Sequence, residues 1–311
     1  MNPFRVSLRS SWAFGGALLV LGASSPAVPA PGAEISATAA TAAIAAIPAS
    51  AEGADGPCLR FETQAGPIVL QLARAAAPRA VAALERLAGG PILNLDLLPV
   101  PGAASATGYF DGLSFDYARP RLELRLPARV PAAAFVVPAE LDAAALGFDR
   151  ELVRDAGEAM DLMQMELLPA LKHPSGERVA TPTLEAWAKR FNADHDPAFL
   201  VGKSRKELLE AVGYRFQPGL ASLPATRGAV ALVPVSPTEA RLTLAILVAD
   251  HPVRTGRWVV VGRVVSGLDI AEEIAARPLA EPARKDFRPL APVAIDHARL
   301  LTECRGAGQG G

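Results

Sequence analysis

The chain has 311 residues, half of them hydrophobic, with 31 Lys and Arg against 32 Asp and Glu. A net charge of −1 removes any electrostatic case for nucleic acid or an anionic membrane surface as partner. None of the four histidines has ligand or triad spacing, and no phosphate-binding glycine loop is present, so neither a metal nor a cofactor is expected.

At the N-terminus, Arg5 and Arg9 precede an apolar run over residues 12–21, followed by small residues and prolines up to Ala33. That is the charged, apolar and small-residue order of a secretory signal peptide, assigned to residues 1–33. The apolar run is short for a bilayer span, so an exported chain without a membrane span is the reading, and an uncleaved anchor the alternative. Periplasmic residence is the expected location. Residues 34–57 are alanine-dominated, lack aromatic bulk and read as a linker.

From Cys58 the pattern changes. Leu59, Phe61 and Thr63 alternate as a strand, Gln64-Ala65-Gly66 turns, and Ile68, Leu70 and Leu72 resume the two-residue period. Pro78 stands where a helix begins, with Val81, Leu84 and Leu87 as its apolar stripe and Gly89-Gly90 as its stop. A Pro- and Gly-rich loop over residues 91–108 reads as a lid or a mobile connection and leads to Gly108-Tyr109-Phe110-Asp111-Gly112, then Phe115.

Residues 128–226 carry a helical pattern. Leu152, Ala156, Met160, Met163, Leu167 and Leu171 recur at spacings of three and four. The stripe faces either the sheet or, given its methionines, a peptide groove. Thr181-Pro182 starts a second helix bearing Leu184, Trp187 and Phe191. Ser204 and Glu207 form a capping box for a third, which Gly213 closes. Asp194-His195-Asp196 lies in a loop between helices, with too few convergent ligands for a metal. Strand patterns then resume at Arg227-Gly228-Ala229-Val230-Ala231-Leu232 and from Gly256 to Gly267.

The segments around 108–115, 227–232 and 256–268 resemble those of the cyclophilin family of peptidyl-prolyl isomerases, whose motifs read G-Y-Y-D-G-x-x-F-H-R, R-G-x-x-x-M-A and F-G-x-V-x-x-G-x-D. The resemblance implies a mainly β protein: a closed antiparallel β-barrel over residues 58–127 and 227–304, interrupted by an all-helical insertion at 128–226, with a flexible tail at 305–311. In such a barrel the first and last strands are antiparallel neighbours. Cys58 would then meet Cys304, and an oxidising compartment would join them.

The implied activity is isomerisation of proline-containing polypeptides. The family holds the proline ring in an apolar pocket and offers an arginine to the prolyl nitrogen. That donor stabilises the twisted state against a barrier of roughly 18–20 kcal/mol. Here Tyr117 stands at the arginine position, Leu122 at the pocket phenylalanine, Glu123 at the methionine and Arg125 at the glutamine. Downstream, Thr243 and Ala245 replace a glutamine and the second pocket phenylalanine, Val253 stands at the rim tryptophan, and Trp258 at the rim histidine. Poor inhibition by cyclosporin follows from Val253. The expected catalytic cations are Arg125, which replaces a cleft residue, and Arg119, two positions beyond Tyr117 on the same strand face. The expected substrate-binding residues are Phe115, Tyr117, Leu122, Val233, Thr243, Ala245 and Trp258. A non-catalytic peptide-binding module on the same scaffold is the alternative.

Overall fold

The computed structural model describes residues 56–89, 108–127, 136–171, 181–281, 286–301 and 303–304. The expected signal peptide, nearly all of the expected linker, the loop before Gly108 and the expected tail after Cys304 lie outside the described residues. Within them, β1 (Cys58–Thr63) and β2 (Gly66–Leu72) form a hairpin, and α1 (Pro78–Gly89) follows. Next come the short strands β3 (Tyr117–Arg119), β4 (Glu123–Leu126) and β5 (Val136–Pro138). After the insertion come β6 (Ala229–Ser236), β7 (Glu239–Leu247), β8 (Val259–Ser266) and the hairpin of β9 (Leu279–Glu281) with β10 (Asp286–Pro289). The last strand is β11 (Ile295–Leu301).

Nine of these strands build one antiparallel sheet in the order β11-β1-β2-β8-β6-β7-β4-β3, with β5 paired to β7, and β9 and β10 pair only with each other. The molecule is mainly β, and this sheet is curled into a half-barrel. The expected closure appears only in part, because the regular ladder ends at β11 on one side and β3 on the other. Beyond those ends the chain is too irregular to extend the ladder. Yet Gly112 N–H donates to Ile295 O (2.7 Å), Ile295 N–H to Leu113 O (2.8 Å) and Phe115 N–H to Val293 O (3.0 Å).

The main core lies inside the curl. It unites Leu59, Phe61, Ile68, Leu70 and Leu72 with Leu124, Leu126, Leu244 and Ile246, and with the apolar stripes of α1 and of α6 (Leu268–Ala275). Gly262 is required where β8 meets β2, since a Cβ there would fall on the carbonyl of Gln71. In the motif at 108–112, the Asp111 carboxylate accepts the N–H of Gly108 (3.0 Å) and that of Ala298 (2.8 Å), fastening the turn to β11. Cys58 and Cys304 form a disulfide, Cα to Cα 5.2 Å, at the end of the β1–β11 ladder where Cys58 faces Leu301.

The insertion departs from expectation in two ways. It is not all-helical: β5 adds to β7, because Val136 and Val137 are β-branched and Val137 buries itself in the main core. Nor does the methionine stripe lie against the sheet. Met163 and Leu167, in a π-helical stretch (Met163–Leu167) between α2 (Ala156–Leu162) and α3 (Leu168–Ala170), pack with Leu184 and Phe191 of α4 (Pro182–Asp194) and Leu208 of α5 (Arg205–Val212). Leu152 and Ala156 fall outside that second core and are exposed. Helix starts are where the sequence puts them: Thr181 Oγ1 accepts Leu184 N–H at 3.2 Å, and Ser204 with Glu207 makes a reciprocal capping box.

The two ends of the insertion are stitched together. Asp142 N–H donates to Ser222 Oγ (2.8 Å), Gly219 N–H to the Asp142 carboxylate (2.7 Å), and Gln217 N–H to Leu141 O (2.7 Å).

Candidate functional site

The outer face of the β3–β4–β7 region gathers most of the candidate residues. Antiparallel register sets Tyr117 opposite Arg125 and Arg119 opposite Glu123. Across the other edge of β4, Arg125 faces Ala245 and Glu123 faces Leu247. Alternation then sends Leu124 and Leu126 inward to the core and leaves Glu123 and Arg125 on the outer side.

The turn that joins β3 to β4 fixes this register. Leu122 N–H donates to Arg119 O at 3.0 Å, with Pro120 and Arg121 between them. Arg121 has φ +62, the left-handed conformation that the third position of a type II turn demands and that glycine normally supplies.

The centre of the face is an ion cluster. Glu123 is fully buried (0 % exposed) and accepts from Arg125 Nη2 (2.8 Å), from Arg254 Nη2 (2.8 Å) and from Arg254 Nη1. Burial pushes the Glu123 carboxyl upward. The hydrogen bonds from Arg254 and then Arg125 outweigh it, so the group ionises below the ordinary glutamate range. Two guanidinium groups thus share one carboxylate. Both lie over Trp258, whose ring centroid is 3.9 Å from Arg254 Cζ and 5.3 Å from Arg125 Cζ. Arg125 also stacks on Tyr117 at 4.2 Å, and its Nε–H has no partner among the described residues.

No protein-family model matches the chain, and no curated protein matches it.

The remaining candidates sort by place. Tyr117 and Trp258 flank Arg125, and Ala245 lies beneath the same row, fully buried. Thr243 precedes Ala245 by two residues, inside the bulge where β7 slips against β6, and is half-buried. Leu122 is half-buried at the turn, and its carbonyl accepts Val248 N–H at 3.0 Å. Val233 lies past that bulge, opposite Arg241, and so away from Arg125. Phe115 is a correction: it is 1 % exposed and belongs to the main core, so it offers no surface to a ligand. Arg119 stands beside the face, its Cζ 5.1 Å over the ring of Phe287.

Sequence reasoning missed three participants. Arg254 comes from the loop between β7 and β8, and only folding brings it to Glu123. Phe287 comes from the β9–β10 hairpin and packs on Tyr117 with ring centroids 5.4 Å apart. His251 is half-buried, and burial together with the positive charge of Arg254 lowers its pKa. At the rim, burial raises the Asp116 carboxyl, against its own backbone hydrogen bond and the charges of Arg125 and Arg288. The insertion reaches this loop as well: Glu166 pairs with Arg257, next to Trp258, and with Arg205 at 2.9 Å.

Chemically, the face presents a fixed cation flanked by two aromatic rings, on a strand paired on both sides with β3 and β7. Among the described residues no cluster of His, Cys, Asp and Glu is arranged to hold a metal.

Proposed function

We propose that this chain is an exported protein of cyclophilin type that acts on proline-containing polypeptides as a slow peptidyl-prolyl cis-trans isomerase. The observation that carries the reading is the position of Arg125, between Tyr117 of β3 and Ala245 of β7 and bordered by Trp258. A guanidinium there can donate to a prolyl nitrogen, favouring the pyramidal form whose lone pair has left amide resonance. Its side chain is 22 % exposed while its Nε–H is buried, so the exposed remainder of the guanidinium is the part that would donate. The bonds from residues 112–115 to 293–295 support a barrel-like frame, as the motifs at 108–115 and 227–268 do. Export is supported by the N-terminal pattern of residues 1–33, by the Cys58–Cys304 bridge, and by the lack of a bilayer-length apolar helix among the described residues.

A second reading, binding without catalysis, is favoured by one observation. Glu123 already engages Arg125 and draws Arg254 beneath the face, where an apolar proline pocket would need space. A proline-peptide isomerisation assay separates the two. Wild type should accelerate the reaction, and Arg125→Ala should lose about 100-fold, the equivalent of ~2.7 kcal/mol of transition-state stabilisation. Equal acceleration by both removes Arg125 from the mechanism. No acceleration by wild type leaves the binding module.

A further inference from the structure

We propose that the face selects polypeptides with an acidic side chain within two residues of the proline, and that Arg119 is the residue that reads it. This rests on the polypeptide-binding reading above and adds the class of ligand.

The argument begins with how the charges on this face are distributed. Two guanidinium groups, on Arg125 and Arg254, stand at the buried carboxylate of Glu123, and Arg119 is the Cα partner of Glu123 across the β3–β4 pair. Arg125 and Arg254 share that carboxylate, and its hydrogen-bonding capacity goes to them. Arg119 faces Glu123 across the β3–β4 pair yet forms no ion pair with it, nor with any other carboxylate among the described residues. Asp116 stands at the rim and makes no ion pair among those residues either; the cations acting on its carboxyl are Arg125 and Arg288. His251, the other titratable neighbour, is held toward its neutral form by burial and by the charge of Arg254, with a further push from Arg119. It therefore adds no further positive charge to the face.

What Arg119 does have is a ring. Its guanidinium lies over Phe287, and Phe287 in turn packs on Tyr117. Stacking holds the plane of a guanidinium by its face and leaves its N–H edge to donate, the geometry that suits a carboxylate taken bidentately. Position matches as well. Arg119 is two residues along β3 from Tyr117, the Cα partner of Arg125. A two-residue step along a strand is about 7 Å, the span of two residues in an extended ligand. A proline held at Arg125 therefore sets a side chain one or two positions away beside Arg119.

The test uses the full chain and end-capped fluorescent tetrapeptides: Ala-Glu-Pro-Phe and Glu-Ala-Pro-Phe, their lysine counterparts, and Ala-Ala-Pro-Phe. Equilibrium anisotropy is read at low and at high salt. At least one acidic peptide should bind about tenfold tighter than its lysine counterpart at low salt, and salt should shrink that ratio. Arg119→Gln should bring the acidic-to-lysine affinity ratio, read within the variant, close to one, and Arg119→Lys should restore part of it. Binding of all five peptides with one affinity overturns the inference and leaves the polypeptide-binding reading standing. Preference retained in Arg119→Gln also overturns it. Binding of none of them removes both.

Discussion

Glu123 and Arg254 are 131 residues apart in the chain and meet in a two-pronged, buried ion pair, with Arg254 Nη2 at 2.8 Å from Glu123 Oε1. The pair clamps the loop between β7 and β8 down onto β4, and it decides how much room lies under the aromatic rim.

Breaking this pair from one side strands a buried charge. Glu123→Ala should therefore cost about 3–5 kcal/mol, measured by urea unfolding. Replacing both partners with apolar residues of similar bulk, Glu123→Met with Arg254→Leu, should recover most of that loss. If the double variant is no more stable than Glu123→Ala, the desolvation account of this pair is wrong.

The same carboxyl sets an acid limit. Because it ionises below the usual 4.5 in the folded state, its contribution is complete above about pH 4.5 and is lost as pH falls through the lower folded value. The stability difference between wild type and Glu123→Gln should be constant at neutral pH and narrow as the solution is acidified below that point. A difference that widens on acidification contradicts the assignment.

The disulfide closes nearly the whole folded region, joining residues 246 apart. Changing both Cys58 and Cys304 to Ser should lower stability by about 2–5 kcal/mol. Loss of amide protection should begin in the β1–β11 ladder, which the bridge terminates. Hydrogen exchange unchanged in β11 after reduction would argue that the bridge restrains something else.

Arg121 is strained where glycine would not be. Its left-handed φ of +62 costs about 1–2 kcal/mol for a residue with a Cβ, partly offset because glycine is freer in the unfolded chain. Arg121→Gly should raise the urea midpoint by the equivalent of about 0.5–1 kcal/mol and leave peptide binding intact. A lower midpoint would mean that the Arg121 side chain stabilises the turn by contacts stronger than this strain.

Much of the frame was legible because local chemistry and tertiary structure agree. Alternation at Leu59, Phe61 and Thr63, Pro78 at a helix start, and the caps at Thr181 and Ser204 all need only near neighbours, and each is where the pattern puts it. That Arg125, Tyr117 and Ala245 share one site followed from the motif resemblance alone, while the turn between β3 and β4 and the β4–β7 register that bring them together were not legible. What stayed hidden depends on distance along the chain. Arg254 and Phe287 sit in no strand of the site, and nothing near them announces Glu123 or Tyr117. Phe115 misled for the opposite reason: it belongs to the right motif, but its side chain points to the core. The π-helical stretch misled too, because the Met163 and Leu167 spacing reveals an apolar face without naming what covers it.

The hydrogen bond from Asp142 to Ser222 spans 80 residues of chain while the atoms it joins are 2.8 Å apart. The helices join the sheet at this neck and again at the loop between β7 and β8, where Glu166 pairs with Arg257 and Phe148 packs on Gly256, and they keep an apolar interior of their own. Enlarging their tip, away from those contacts, costs the sheet little, since loop-closure entropy grows only by about 0.6 kcal/mol for each doubling of length. The helical cassette is free to diverge in sequence and size at its tip while the strands that carry Arg125 keep their places.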